Sequence, residues 1–307
     1  MSSNGSDDEG LGAFLEEPEG FRPPTPPPTV KTYERRHYGG HGDIVGPRHV
    51  EVGLVSGHPL WGHILYPAAI ALAQFLELHA PRLLHNAETG ERGRRKGKNV
   101  LELGAGGGLP ALVAALEGAG EVVVSDFPDA SLVKNLEQNV ETNINSISDP
   151  SSSSQVANTR AVGFTWGSSP NDLLSSLPDP VHKFDLILLS DLVFNHSQHV
   201  ALLKTCLSCL TDTDATRPPL ERSAPEPTQS RVDLPPIDLT TPWVLCFFSH
   251  HRPKFLEADR AILTLAEDLG WRVDKVWEDP NAGPAFPEDE GDLKIRGTVH
   301  GYMFTRR

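Results

Sequence analysis

Short apolar runs alternate with longer amphipathic stretches through most of this chain. Apolar runs bounded by turn-forming residues are expected to be buried strands, and they lie at 99–103, 121–125, 160–164, 184–189, 243–248, 271–276 and near 298–304. Apolar residues at helical spacing lie at 67–84, 109–116, 130–140, 199–210 and 255–269. Such alternation favours βαβ units, with helices on both faces of a mostly parallel sheet. The short connection before the last strand predicts that this strand is antiparallel. The pattern therefore predicts a doubly wound, Rossmann-like α/β fold with seven strands.

Two segments interrupt this alternation. Residues 1–20 carry six acidic side chains and no basic one, and a proline-rich run follows at 22–28. We therefore expect residues 1–44 to form a disordered, acidic and Pro-rich N-terminal arm and residues 45–307 to form one domain. A second proline-rich stretch, at about 211–239, separates a predicted helix from a predicted strand. This stretch indicates an insertion at the domain surface.

The composition limits the cellular compartment and the binding partners that we expect for this protein. The chain has 41 acidic residues against 27 basic ones, for a net charge of −14. This balance argues against a nucleic-acid-binding surface and favours a basic partner. The sequence lacks an apolar run of about 18 residues, so we expect no membrane span. Three cysteines fit a reducing compartment, and the polar, acidic N-terminus does not resemble a signal peptide. We expect a cytoplasmic protein.

A glycine-rich turn follows the predicted strand at 99–103. Its sequence, Glu-Leu-Gly-Ala-Gly-Gly-Gly-Leu-Pro at 102–110, lacks the spacing of the dinucleotide-binding fingerprint. Glycines at this place let the backbone turn sharply and let a ligand lie against bare amides at the carboxyl end of a strand. Asp126 ends the next predicted strand. A carboxylate there can accept hydrogen bonds from the two vicinal hydroxyls of a ribose.

This turn resembles motif I of the class I S-adenosylmethionine-dependent methyltransferases. The resemblance implies the seven-stranded class I methyltransferase fold, with S-adenosyl-L-methionine as the cofactor. It also implies a cofactor-binding site that includes Gly104, Ala105, Gly106 and Asp126.

A second motif concerns the molecule that would receive the methyl group, the acceptor. One predicted strand ends in Ser190, followed by an Asp-x-x-Phe sequence from Asp191 to Phe194. This sequence resembles the seven-β-strand protein lysine methyltransferases, sometimes called family 16. By that resemblance Asp191 and Phe194 are the catalytic residues: Asp191 orients the amine and Phe194 forms a ring wall beside it. The resemblance also implies that Ser190, Trp61 and Trp166 contact the cofactor, where an aromatic ring can stack on the adenine.

Longer strings narrow the resemblance further. The segments His-Pro-Leu-Trp-Gly-His-Ile-Leu-Tyr-Pro at 58–67, Phe-Thr-Trp-Gly at 164–167 and Phe-Ser-His-His-Arg-Pro at 248–253 resemble the fungal nicotinamide-N-methyltransferase-like proteins. Members of that family are regarded as methyltransferases of translation elongation factor 1-alpha that act on its N-terminal glycine and the adjacent lysine. The resemblance covers about residues 45–307 and implies that factor as the protein substrate.

Two other functions stay open at this point. One is methylation of a small, nicotinamide-like molecule on nitrogen, and the other is a non-catalytic S-adenosylmethionine-binding interaction module. The complete glycine motif together with Asp126 disfavours the module. The Asp-x-x-Phe sequence favours a protein acceptor, by analogy alone.

The remaining polar candidates are weaker. No metal site is expected, because the histidines at 196, 199, 250 and 251 lack a metal-ligand spacing. His250 follows a predicted strand and is a weaker candidate for lining the acceptor pocket. Cys206 and Cys209 lie in an apolar helical stripe, which favours core packing over zinc binding or redox chemistry.

Overall fold

The computed structural model describes residues 28–36, 47–55, 64–85, 97–147, 156–178, 183–212 and 242–306. The strands are β1 (Thr29–Glu34), β2 (His49–Leu54), β3 (Val100–Leu103), β4 (Glu121–Asp126), β5 (Asn158–Gly163), β6 (Leu186–Ser190), β7 (Trp243–Ser249), β8 (Trp271–Asp279) and β9 (Val299–Arg306). The helices are α1 (Pro67–Leu83), α2 (Leu109–Leu116), α3 (Ala130–Asn143), α4 (Asn171–Leu174), α5 (His199–Cys209), α6 (Leu256–Asp268) and α7 (Leu293–Gly297).

The main sheet has seven strands in the order β5-β4-β3-β6-β7-β9-β8. Its strands are parallel except β9, which runs antiparallel to both of its neighbours, β7 and β8. The predicted doubly wound fold and its antiparallel last strand are confirmed. From β3 the chain winds outward through β4 to β5, and then it returns to β6 on the other side of β3. Strand order therefore reverses between β3 and β6, which is where such sheets bind ligands.

Each face of the sheet has its own apolar core. Successive residues of a strand point to opposite faces. In β3, Val100 packs into the core formed with α1, α2 and α3, whereas Leu101 packs into the core formed with α5 and α6. Cys206 and Cys209 are buried in the second of these cores, in agreement with the prediction that they serve packing. Within the described ranges, no helix has the length and apolar character needed to cross a bilayer.

An N-terminal hairpin was not predicted. Strand β1 lies in the segment expected to be a disordered arm, yet it pairs antiparallel with β2 from Thr29 to Glu34. The burial pattern explains why it was missed. In β1 only Tyr33 is buried, so the strand shows no apolar alternation. In β2, Val50, Val52 and Leu54 are buried in the core. Residues 1–27 and 37–44 of the expected arm lie outside the described residues, as does all of the proline-rich insertion except Thr211 and Asp212.

The hairpin supports the glycine-rich turn. A Cβ atom added to Gly107 would lie 2.4 Å from Val52, so β2 packs directly on the turn. Asn139 of α3 joins the two: its Oδ1 accepts from the Gly53 N–H at 2.9 Å, and its Nδ2 donates to the carbonyls of Gly53 at 2.9 Å and Gly107 at 3.0 Å. One amide side chain thus holds the hairpin, α3 and the turn in register.

Candidate active site

A cleft of about 750 Å³ opens at the carboxyl ends of β3, β4, β5 and β6. It lies at the point where strand order reverses, as expected for a ligand site in a doubly wound sheet. We call it the first cleft. Its walls come from the segment before α1, the glycine-rich turn and the residues that follow the three neighbouring strands. They include Ile64, Tyr66, Gly104, Ala105, Gly106, Asp126, Phe127, Phe164, Trp166, Ser190, Asp191, Leu192 and Phe194.

The glycines of the turn are required for two different reasons. Gly104 and Gly106 have φ angles of 61° and 57°, a left-handed conformation that suits glycine. A Cβ atom at Gly104 would lie 2.7 Å from Leu192 and 2.8 Å from Trp166, so packing between protein groups excludes a side chain there. A Cβ atom at Gly106 would meet no protein atom within 4 Å. Because Gly106 lines the first cleft, that open space is the cleft itself.

Glu102 and Ala105 serve the architecture of the turn. Glu102 is fully buried and its Oε2 accepts from the Ala111 N–H at 2.8 Å, at the start of α2. Burial raises the pKa of the Glu102 carboxyl to about 8. Ala105 lines the first cleft, but its N–H donates to the Ser125 carbonyl at 3.0 Å and is not free for a ligand.

Asp126 is held at the end of β4 by two backbone amides. Its Oδ2 accepts from the Gly106 N–H at 2.7 Å, and its Oδ1 accepts from the Phe127 N–H at 2.6 Å. A carboxylate oxygen can accept more than one hydrogen bond, so hydroxyl groups of a ligand in the cleft are suitable partners for Asp126. The geometry fits the predicted contact with a ribose.

Aromatic side chains form much of the wall. Trp166 lines the first cleft and packs over Gly104, and the turn after it is fixed by a 2.8 Å hydrogen bond from the Gly167 N–H to Thr205 Oγ1. Phe127 also lines the cleft and is 48% exposed. Its signal, an aromatic residue directly after Asp126, was visible in the sequence but had no assigned role. Trp61, the other predicted tryptophan, lies outside the described residues.

A second cleft of about 340 Å³ adjoins the first and shares Tyr66 and Phe194 with it. Its lining residues come from the segment before α1, the residues after β6, the stretch from the end of β7 into α6, and the loop between β8 and α7: Tyr66, Phe194, His196, His251, Arg252, Phe255, Asp259, Phe286 and Asp289. Phe194 therefore forms part of the wall of both clefts.

Asp191 lies between the two clefts. It is the one non-glycine residue with a left-handed φ angle, 59°, among the described residues. Such strain often marks a functional position. The carboxylate is buried: Oδ1 accepts from the Ser249 N–H at 3.3 Å, and Oδ2 lies 3.0 Å from Nε2 of His251. Asp191 lines the first cleft and His251 lines the second. The pair thus forms part of the wall between them.

The negative charge of Asp191 raises the pKa values of two neighbouring side chains. Burial lowers the pKa of His251, but the charge and hydrogen bond of Asp191 outweigh this and leave that pKa raised. Burial and the same charge raise the pKa of Tyr66. His250, the weaker candidate for the acceptor pocket, is instead buried and bonds to Asp259 at 2.8 Å through Nδ1. Its neighbour His251 lines the second cleft.

The described part of the chain contains no group of three or more His, Cys, Asp or Glu side chains that could hold a metal ion. The histidines near the clefts are instead engaged with carboxylates or carbonyls. His196 Nε2 lies 2.7 Å from Asp259, and His199 Nε2 lies 2.7 Å from the Val193 carbonyl.

Comparison with known proteins supports a methyl-transfer site. A family model described as lysine methyltransferase matches residues 56–217. The chain is 36% identical over 303 residues to the protein N-terminal and lysine N-methyltransferase efm7 of Schizosaccharomyces pombe, covering 98% of this chain and 97% of that protein. It is 39% identical over 317 residues to the protein of the same name from Cryptococcus neoformans (100% and 93% covered) and 37% identical over 307 residues to that from Candida glabrata (99% of each covered).

None of these three relatives is named for nicotinamide, so they do not support that part of the resemblance. Among solved structures, a putative methyltransferase complexed with SAH is similar at a TM-score of 0.42 and 11% identity, covering 83% of this chain and 53% of that chain.

Proposed function

The chain belongs to the lysine methyltransferase family and is an S-adenosylmethionine-dependent methyltransferase, and we propose that its acceptor is translation elongation factor 1-alpha in the cytoplasm. It methylates the α-amine of the N-terminal glycine and the ε-amine of the adjacent lysine. The names of the relatives, which describe N-terminal and lysine methylation, support the two kinds of acceptor amine. The observation that carries the proposal is that two clefts meet at Tyr66 and Phe194, beside the buried Asp191.

The residues of the first cleft fit S-adenosylmethionine. Gly106 leaves open space where any other residue would place a Cβ atom, and Asp126 is fixed beside it, where its carboxylate suits ribose hydroxyls. Trp166 and Phe127 offer aromatic surfaces for a purine. Ser190 lines the same cleft. When bound, the donor supplies a methyl group already activated on a sulfonium, so the protein has mainly to align and to exclude water.

The acceptor must arrive as a neutral amine, because its lone pair is the nucleophile. An ordinary α-amine has a pKa of about 7.7–8.0 and is partly neutral near pH 7, whereas lysine, at about 10.4, is almost wholly charged. A carboxylate favours the charged form. We therefore assign Asp191 to binding and orienting the amine rather than to removing its proton. The Phe194 ring provides a wall that also tolerates a methylated ammonium, through cation–π attraction.

The test is methyl transfer from radiolabelled S-adenosylmethionine to a short peptide that begins Gly-Lys, as in the elongation factor. Free nicotinamide and the same peptide with an acetylated N-terminus are the other acceptors. We expect transfer to the free peptide, transfer to lysine alone in the acetylated peptide, and none to nicotinamide. Mass spectrometry of the products locates the methyl groups. Rapid methylation of nicotinamide with none of either peptide would overturn the proposal in favour of a small-molecule enzyme.

A further inference from the structure

The second cleft has walls suited to an alkylammonium group. The rings of Tyr66, His251 and Phe286 stand at steep angles to one another, with centroids 5.5 to 6.1 Å apart. His196 and Phe255 form a second edge contact, at 5.7 Å. The faces of aromatic rings attract cations. The faces of Tyr66, Phe255 and Phe286 therefore favour a charged or methylated amine on an aliphatic stem over an anion.

The charges around this cleft point to the same ligand. Asp259 and Asp289 line it, and Arg252 is the one Lys or Arg among the described lining residues. Asp259 is buried and lies between His196 and His250, at 2.7 and 2.8 Å. Asp289 is exposed, so its carboxylate is open to a ligand from solution. The lining thus combines aromatic rings with two carboxylates, one arginine and two histidines, and Asp289 is the exposed carboxylate among them.

A buried cation fixes the loop that carries Phe286 and Asp289. Arg296 is 1% exposed, and its guanidinium donates to the carbonyl oxygens of both residues. The Asp289 N–H also donates to the Phe286 carbonyl, at 3.2 Å. Because the guanidinium is taken up by backbone carbonyls, it does not neutralise the Asp289 carboxylate through a direct ion pair. The loop holds one ring and one carboxylate in a defined place at the cleft, which reduces the entropy lost on binding.

We propose that the second cleft is the channel for the acceptor peptide and that Asp289 binds the cationic group next to the amine that reacts. This inference rests on the proposed function and adds the residues that select the substrate. The reacting amine lies where the clefts meet, at Phe194 and Tyr66. The part of the peptide that precedes or follows the reacting amine lies against Phe255 and Phe286. A substrate with two neighbouring amines can then present either one to the donor while the other lies near Asp289.

Two pairs of variants test this channel. Phe255→Ala removes an aromatic ring that is 39% exposed and lines the second cleft alone, and Phe127→Ala removes a ring that is 48% exposed and lines the first cleft alone. Asp289→Asn removes a charge from the second cleft, and Glu288→Gln removes the neighbouring charge, which lines neither cleft. Each pair matches the chemical class of the side chain, both members being exposed, but differs in position.

The measurement is the dissociation constant of a Gly-Lys peptide by calorimetry, with S-adenosylhomocysteine bound to the full-length protein. We expect Phe255→Ala to weaken peptide binding by about threefold to thirtyfold. Asp289→Asn should weaken it by about twofold to fivefold, as for an exposed charge pair. Glu288→Gln should leave the peptide constant unchanged. Phe127→Ala should weaken S-adenosylhomocysteine binding instead, measured in a separate titration.

The outcomes separate this inference from the proposed function. Binding of the peptide without methyl transfer would refute the function and leave the channel in place. The channel is overturned if the wild-type protein does not bind the peptide, if Phe255→Ala binds it normally, or if Asp289→Asn and Glu288→Gln behave alike. Circular dichroism and the melting temperature of each variant confirm that a loss of binding is not a loss of fold.

Discussion

Replacing Gly106 by alanine tests whether the first cleft is the donor site. The added methyl group would meet no protein atom within 4 Å, so it would enter the cleft. Alanine at the φ angle of 57° is strained by about 1–2 kcal/mol. Gly270, with a φ angle of 90° and no atom within 4 Å of an added Cβ, lines neither cleft. Gly270→Ala therefore also places an alanine at a positive φ angle, without the intrusion into the cleft.

The two alanine variants should differ in donor affinity but not in stability. Forcing an extra methyl group into a packed contact costs about 1–3 kcal/mol, which corresponds to roughly fivefold to 150-fold weaker binding. We expect a loss of that size for S-adenosylmethionine in Gly106→Ala, measured by calorimetry, and none in Gly270→Ala. Both variants should show comparable reductions of the melting temperature. Unchanged donor affinity in Gly106→Ala, or an equal loss in Gly270→Ala, would refute the placement of the donor.

Further changes probe the other groups. Asp126→Ala removes charged hydrogen bonds of about 1.5–3 kcal/mol and should raise the donor dissociation constant roughly tenfold to hundredfold, with normal affinity as the contrary result. Asp191→Asn should leave donor affinity intact and lower kcat/KM for the peptide; equal losses of both would make Asp191 structural. The pKa of Glu102 rises from 4.5 to about 8 on folding, so wild-type stability falls as the pH rises between these values. Glu102→Gln keeps an acceptor for the Ala111 N–H and should melt higher than wild type at pH 9 but not at pH 5; equal differences at both pH values would contradict a buried neutral carboxyl. If only neutral amines react, raising the pH from 7 to 9 should speed methylation of lysine about hundredfold and methylation of the α-amine about tenfold. Mass spectrometry separates the two products. Equal increases in the two rates would show that the site sets the pKa values of both amines.

The fold of the main sheet could be predicted because each strand and helix has a strong local pattern. The four-residue strand β3 is buried at every position and ends in glycines, which marks it without reference to the rest of the chain. The hairpin could not be predicted in this way, since β1 is almost wholly exposed. Helix α3 was predicted to end at residue 140 but continues to Asn143. There the Asn143 side chain bonds both backbone groups of Glu51, at 2.9 and 2.7 Å. A tertiary contact extends the helix beyond its apolar pattern.

In the candidate site, too, some residues could be placed from the sequence and others could not. Gly104, Gly106 and Asp126 could be placed at one sheet edge, because they follow neighbouring parallel strands. The partner of Asp191 could not, since His251 lies 60 residues further along the chain and only the pairing of β6 with β7 brings the two together. The second cleft could not be predicted from the sequence either.

Residues of four separate segments line that cleft, and a buried arginine fixes one of them. Sequence spacing carries no signal for such an arrangement. The roles predicted for Asp191 and Phe194 in catalysis, and for Trp61, Trp166 and Ser190 in donor binding, stay predictions until the variants are measured.

We propose that this protein methylates the amino terminus of translation elongation factor 1-alpha. This proposal is tested most directly by adding the purified protein and radiolabelled S-adenosylmethionine to a cytosolic extract from cells that lack it. Mass spectrometry then identifies the labelled band and the modified residues. We expect one dominant labelled band, the elongation factor, with methyl groups on its first glycine and the adjacent lysine, and much weaker labelling with Asp126→Ala. Label found only on other proteins or on a small molecule would contradict it.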